Sequence, residues 1–241
     1  MLQKTRGIVL HTLNYSEASV IAHVYTEAFG LQSLLLNGVR KPKAKFNANL
    51  LQPLSCIHVV AYIKPGKSLH RVTELSASPA FNSIPYDTIK TTIALFLAEV
   101  MYRSIREEEK NEDLFDFIYH SVLYLDQQQQ SSHLFHLLFM LKLSRFLGFY
   151  PKAGNMGPQT IFDLREGIFA DYLPLHSDVM DSTSCAALAL LLESNLDTLE
   201  KVYILPGQRK TLLKDLVTYY EIHQTHGFQL RSLPVLEEVL A

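Results

Sequence analysis

The hydrophobic period of this chain changes once, near Pro85, from two residues to 3.6, and that change divides the chain into a β part and an α part. Before it, short runs rich in Val, Ile, Leu and Thr are separated by turn residues, which predicts strands over 7–13, 19–26, 30–38, 54–63 and 68–77. In the second run Val20, Ala22 and Val24 alternate with Ile21, His23 and Tyr25, the pattern of a strand covered on both faces. The stretch 39–45 is too charged, and too broken by Pro42, for a central strand and reads as a loop; Lys64-Pro65-Gly66-Lys67 reads as the turn between the last two strands. Five short strands in some 75 residues is the count of an OB-fold, and an SH3-like barrel gives a similar one.

After Pro85, Ile93, Phe96, Leu97, Val100, Met101 and Ile105 mark one helix face, and Leu114, Phe117, Ile118, Val122 and Leu125 mark a second. The polar tract 126–132 closes the second helix as a surface loop. Residues 134–147 are apolar nearly all round, which predicts a central helix packed on several sides and ended by Gly148 and Pro151. An irregular stretch at about 149–182 holds a short hairpin over 161–164 and 167–172, and helices return over 184–192, 210–226 and 233–240. The expected architecture is α+β and multidomain: a five-stranded OB-fold barrel over 1–82, then an α-helical domain over 83–241.

No run of about 18 apolar residues and no signal-peptide pattern occurs, so the expectation is a soluble cytosolic protein without membrane contact. Cys56 and Cys185 are far apart and neither belongs to a CxxC pair, which excludes a disulfide framework and a four-thiolate zinc site. The net charge of -2 conceals an asymmetry. Residues 1–82 carry nine basic residues against three acids, a net of +6, and the remainder is net -8. Such a split is what a chain shows when one part meets a polyanion.

No phosphate loop, dinucleotide fingerprint, metalloprotease helix or nucleophile elbow is present, and Gly207-Gln208-Arg209-Lys210-Thr211 lacks the first glycine and the spacing of a phosphate loop. His133 with His136, and His223 with His226, sit three apart without a third ligand, and read as solvated helix surface. The run Glu107-Glu108-Glu109 with Glu112-Asp113 reads as a solvated connection between helices. The strongest local signal is Arg40, Lys41, Lys43 and Lys45, four cations in six residues beside a strand end, where phosphates are neutralised and counterions released. Tyr15, Tyr25, Phe29, Phe46 and Tyr62 are the aromatics available near them for stacking on bases, and periodicity does not separate those in the core from those outside it.

The residues resemble those of the bacterial DNA repair and recombination mediator family RecO. The resemblance runs through Gly7-Ile8-Val9-Leu10, Tyr15-Ser16-Glu17, Thr26-Glu27 with Gly30, Gly38-Val39-Arg40-Lys41-Pro42-Lys43 and Leu51-Gln52-Pro53. It continues through Phe139-Met140-Leu141-Lys142-Leu143, Leu147-Gly148-Phe149, Pro151 and the segment 226–233. It implies an OB-fold and a helical domain. It also implies a non-enzymatic, cytoplasmic protein, at the nucleoid during repair, that binds single- and double-stranded DNA and anneals complementary strands. With RecR, such a protein helps load RecA onto DNA coated with single-strand binding protein. Many members of the family carry a four-cysteine zinc module after the central helix; residues 148–184 here lack the cysteines for one, so neither zinc nor any other cofactor is expected, and packing around 163–167 takes its place. Ala44 stands where the family often has a serine.

The implied DNA contacts are Arg40, Lys41, Lys43 and Lys45, supported by Arg6, Lys64, Lys67 and Arg71, and four engaged phosphates give a slope of log affinity against log salt of about -3 on single strands. The implied partner site, for the acidic, aromatic-ended tail of single-strand binding protein, is an apolar pocket on the helical domain with Lys142 and Arg145 as its rim. Without the resemblance, an OB-fold protein of RNA metabolism, a nuclease with scattered acids and an adaptor that binds no polyanion are the alternatives.

Overall fold

A computed structural model describes residues 1–41, 44–64, 66–129, 133–152, 154, 157, 160–224 and 227–240. The chain forms two compact units, Met1–Gln127 and Gln128–Ala241. In the first, β1 (Leu2–Asn14), β2 (Val20–Thr26), β3 (Gly30–Leu36), β4 (Cys56–Tyr62) and β5 (His70–Ala77) close into a barrel in the order β1-β2-β3-β5-β4. The β3–β5 pairing is parallel and the others are antiparallel, so the barrel is an OB-fold.

β1 starts five residues before the predicted strand, because Leu2–Arg6 is polar and carries no apolar period, yet Gln3 and Thr5 pair with Ala61 and Val59 of β4. A bulge between Val9 and His11 lets this one long strand serve both β4 and β2. Val20, Ala22 and Val24 enter the core with Leu34, Leu36, Ile57, Val59, Ala61 and Val72. Phe46 and Leu51 join them from the β3–β4 connection, whose 3-10 turn Ala48–Leu51 starts at Asn47, with the Asn47 side chain accepting the Asn49 N–H at 2.9 Å. One outward row runs Leu13, Ile21, Leu35, Arg71, Tyr62, Leu2 by direct strand pairing. It returns to β1 eleven residues from where it left, the stagger through which a tilted five-stranded sheet closes.

The helices α1 (Thr88–Ser104) and α2 (Glu112–Gln127) cover the other part of the outer surface. Tyr25 lies against Phe115 (6.4 Å between ring centres), and His11 and His23 against Tyr102 (4.5 and 5.0 Å). His23 and Tyr25 are two of the three outward residues of β2 and His11 is their neighbour on β1, so β2 is covered on both faces over its second half, while Ile21 stays in the outward row. The compact unit therefore runs past residue 82, where the strand pattern ends, to Gln127.

The segment between barrel and helices is tied down by Asp126 at the end of α2. Its carboxylate accepts backbone N–H groups of Asn82 (2.9 Å), Ser83 (2.9 Å) and Ile84 (3.0 Å). Beside it the buried Lys90 ammonium donates to the Ser83 hydroxyl at 2.7 Å. Burial alone would raise the Asp126 pKa, but the hydrogen bonds outweigh it and hold the group below its ordinary 3.8. A carboxyl whose folded pKa is depressed contributes stability at every pH above its unfolded value and loses it as pH falls through the folded one. Asp126→Asn, which cannot satisfy three donors, is expected to cost about 2–3 kcal/mol at neutral pH and to remove one component of the acid-induced loss below about pH 4, checked by urea titrations across pH.

In the second unit α3 (Phe135–Phe146) is buried along Phe135–Leu141 and again at Leu143 and Ser144. Around it lie α4 (Ser182–Leu192), α5 (Pro206–His223) and α6 (Leu233–Val239). The Tyr220 hydroxyl donates to the Met140 carbonyl at 2.6 Å, and that of Tyr219 to the Phe149 carbonyl at 2.5 Å. The predicted hairpin is present as β6 (Ile161–Asp163) and β7 (Ile168–Ala170), with β8 (Val179–Met180) on the other side of β6. Packing and hydrogen bonds hold this small sheet: Phe162 is buried against Phe169 and Tyr219, and the Asp163 carboxylate accepts the N–H groups of Arg165 and Glu166. Among the described residues no group of three or more His, Cys, Asp and Glu could hold a metal, and no helix is long and apolar enough to cross a membrane.

Candidate nucleic-acid interface and peptide pocket

The basic loop leaves β3 at Leu36, beside Val20 and hence beside the β1–β2 turn. The Ser19 hydroxyl donates to the Asn37 side chain at 3.1 Å, and the Arg40 N–H to the Ala18 carbonyl at 3.4 Å. Gly38 supplies the turn, with φ at +76°. Val39 and Phe46 are buried in the barrel core at either end of the loop, which leaves Arg40, Lys41 and Lys45 exposed between two apolar anchors. The Lys45 ammonium lies 5.6 Å from the centre of the Phe46 ring. Lys43, with Pro42, lies outside the described residues.

The outward row begins beside this loop. Leu13 is 44% exposed and Tyr62 49% exposed, Ile21 and Leu35 are half-buried, and Arg71 is exposed between Leu35 and Tyr62. Tyr15 is exposed in the adjoining β1–β2 turn, whereas Tyr25 and Phe46 are core residues. Lys64 and Lys67 are exposed as well, but in the turn beside the start of β1, at the other end of that strand from the basic loop. Lys64 and Lys67 thus form a second group, while Arg71 lies in the row that starts at the basic loop.

Arg6 does not belong with either group. Its guanidinium makes two bonds to the Glu27 carboxylate (2.7 and 2.9 Å) and lies 5.3 and 4.8 Å from the ring centres of Phe115 and Tyr119, so it ties the barrel to α2. The hydrogen bond to Glu27 keeps it still more firmly protonated than a free arginine. Charge held in this way is not offered to phosphate.

On the helical unit Lys142 is likewise committed: its ammonium donates to the Leu192 carbonyl (3.1 Å) and the Tyr150 hydroxyl (3.3 Å), joining α3 to the end of α4. Arg145 is exposed. An apolar pocket of about 260 Å³ lies elsewhere, lined by Pro206, Leu213, Leu236 and Leu240, with Arg209 and Lys210 from the first turns of α5. Glu237 also lines it, 3.9 Å from Lys214. His136 forms part of the wall and is fully buried; burial, with Arg209 and His133 nearby, pushes its pKa down to about 3, so it is a neutral core group and not the solvated residue its spacing suggested. His223 is not simply solvated surface either, since its Nε2 lies 2.9 Å from the Leu164 carbonyl; His226 is outside the described residues. Arg209 and Lys210 escaped the sequence reading because the pocket is assembled from the start of α3 together with α5 and α6, segments far apart in the sequence.

Residues 1–81 match the family model described as Recombination protein O N terminal, and residues 85–234 the one described as Recombination protein O C terminal. The chain belongs to the RecO family. Similar proteins include the DNA repair protein RecO of Bacteroides fragilis, 40% identical over 240 residues and 99% of both chains. Those of Phocaeicola vulgatus and Christiangramia forsetii are 37% and 34% identical over 100% and 99% of both chains. Membership places the chain in DNA repair and recombination, and the RecO modules divide between residues 81 and 85, where the hydrophobic period changes.

Proposed function

We propose that this RecO protein is a non-enzymatic mediator that binds single- and double-stranded DNA, anneals complementary strands, and acts with RecR to load RecA onto DNA coated with single-strand binding protein. The observation that carries the reading is the basic loop, pinned by its backbone to the β1–β2 turn, at the head of the row Leu13, Ile21, Leu35, Arg71 and Tyr62. Cations there neutralise phosphate, while apolar side chains and Tyr62 give unpaired bases a surface. Annealing is opposed by repulsion between two polyanions, and a loop that holds backbone without covering base edges lowers that barrier. Salt-titrated binding of a labelled single strand tests it, with an expected log–log slope of about -3.

The pocket on the helical unit is the proposed seat of the tail of single-strand binding protein. Its apolar wall suits an aromatic end, and Arg209 and Lys210 suit carboxylates; these two replace Lys142 and Arg145 in the assignment. Changing both Arg209 and Lys210 to Glu is expected to weaken a tail peptide at least about 30-fold by anisotropy and to leave single-strand affinity unchanged. The same change at Arg145 is expected to leave the peptide untouched, and the opposite pattern returns the site to α3.

A further inference from the structure

Gln32 and His70 are buried polar residues at the end of the barrel away from the basic loop. A pocket of about 360 Å³ opens there, within the range of small-ligand clefts, about 300–1,000 Å³. Gln3 of β1, Phe29 and Gln32 at the β2–β3 turn, His70 at the start of β5, and Lys64 and Lys67 in the β4–β5 turn line it, and Glu108 reaches it from the α1–α2 connection. His70 is only 3% exposed, and its Nδ1 has no hydrogen-bond partner among the described residues. An imidazole nitrogen left without a partner in a core is costly, by about 1–3 kcal/mol; this one is itself buried beside the pocket, and a ligand that reaches it as the ring turns supplies the missing bond. Gln32 donates its side-chain amide to the Phe29 carbonyl at 2.8 Å, which fixes both residues at the mouth.

This donor set is selective. An imidazole and two amides offer donors and acceptors together, as the edge of a nucleobase requires, and the half-buried Phe29 ring offers a stacking face. A peptide carboxylate needs donors alone and would meet Glu108, whereas Glu108 can accept from the amino group of a base. Lys64 and Lys67 are exposed at the mouth, where a phosphate attached to that base would lie. We infer that the barrel mouth holds one unpaired nucleotide of a DNA strand, its base hydrogen-bonded by His70 and Gln32 against Phe29 and its phosphate on Lys64 and Lys67. The inference rests on the DNA-binding reading above and adds a site that a duplex, whose bases are stacked and paired, does not enter.

The chain has no tryptophan, so the fluorescence of 2-aminopurine deoxyribonucleoside monophosphate can be followed against little background. Titrated with the full-length protein, the probe is expected to be quenched saturably, to be displaced by deoxynucleoside monophosphates, and to ignore inorganic phosphate at equal concentration. Changing Lys64 and Lys67, both exposed, to Glu is expected to weaken it at least about tenfold, and His70→Phe to abolish base-dependent competition. The variant with Arg40, Lys41 and Lys45 changed to Glu is expected to retain the quench while losing long single strands, which separates this site from the basic loop. Absence of quenching at millimolar protein, with salt-sensitive binding of a long strand intact, overturns the inference and leaves the DNA-binding reading standing. Equal displacement by inorganic phosphate overturns it too, since the pocket would then be a plain anion site.

Discussion

Changing Arg40, Lys41 and Lys45 together to Glu is expected to lower affinity for a single-stranded oligonucleotide by about 100-fold or more at low salt, and to flatten the log–log salt slope from about -3 towards -1. The effect is large because the three side chains are exposed along a loop whose ends are buried, so the substitutions change the potential without touching the core. Circular dichroism and unfolding midpoints should match the wild type. Arg6→Ala serves as the control. It removes a cation from the same barrel, but one already paired with Glu27 and lying over Phe115 and Tyr119, so it is expected to lower stability by about 1 kcal/mol and leave the slope alone. Equal affinity for wild type and triple variant moves the interface off the loop. Loss of affinity in Arg6→Ala comparable to that of the triple variant removes the distinction between structural and DNA-facing cations.

That distinction is the one the sequence could not make. In sequence Arg6 and Lys4 look alike; only the register, which places Arg6 opposite His58 on the outer face and brings Glu27 back across the β1–β2 pairing, commits the first and leaves the second exposed. The strands themselves were legible wherever the core supplies the alternation, as in Val20–Thr26, and illegible over Leu2–Arg6, where the inward residues are Gln3 and Thr5. The attachment of α1 and α2 to the barrel had a signal in the apolar outward face Ile21, His23 and Tyr25, which demands a cover without saying which element supplies it. The pocket residues Arg209 and Lys210, and the orphan nitrogen of His70, had none: an isolated cation or imidazole in a sequence carries no mark of the cavity it will face. The cationic loop was legible because all its charges are local, and its anchoring residues Val39 and Phe46 lie within the same stretch.

Gly30→Ala is expected to be among the most damaging single substitutions in the barrel unit, costing about 3 kcal/mol or more and lowering the unfolding midpoint by about 10 °C. Two effects combine. Gly30 has φ at +63°, a conformation that costs an alanine about 1 kcal/mol. A Cβ there would also stand 2.3 Å from the Glu109 carbonyl oxygen and 2.6 Å from that of Glu107, which are backbone atoms of the connection between α1 and α2. That connection cannot withdraw freely, because the Glu107 carbonyl accepts the Leu31 N–H at 2.9 Å, so relieving the clash breaks the bond that seats it. Gly38→Ala isolates the first effect: its φ is +76°, but the nearest atom to its Cβ is the flexible Lys41 Cδ at 3.8 Å. Its expected cost is about 1 kcal/mol, and the difference between the two variants measures the close approach alone. Equal costs would mean that the acidic connection yields easily, as a merely solvated linker would, and that Gly30 is there for its turn. A larger cost at Gly30 would show that the backbone of Glu107-Glu108-Glu109, whose side chains are exposed, is seated against the barrel, with Glu108 at the mouth beside Phe29.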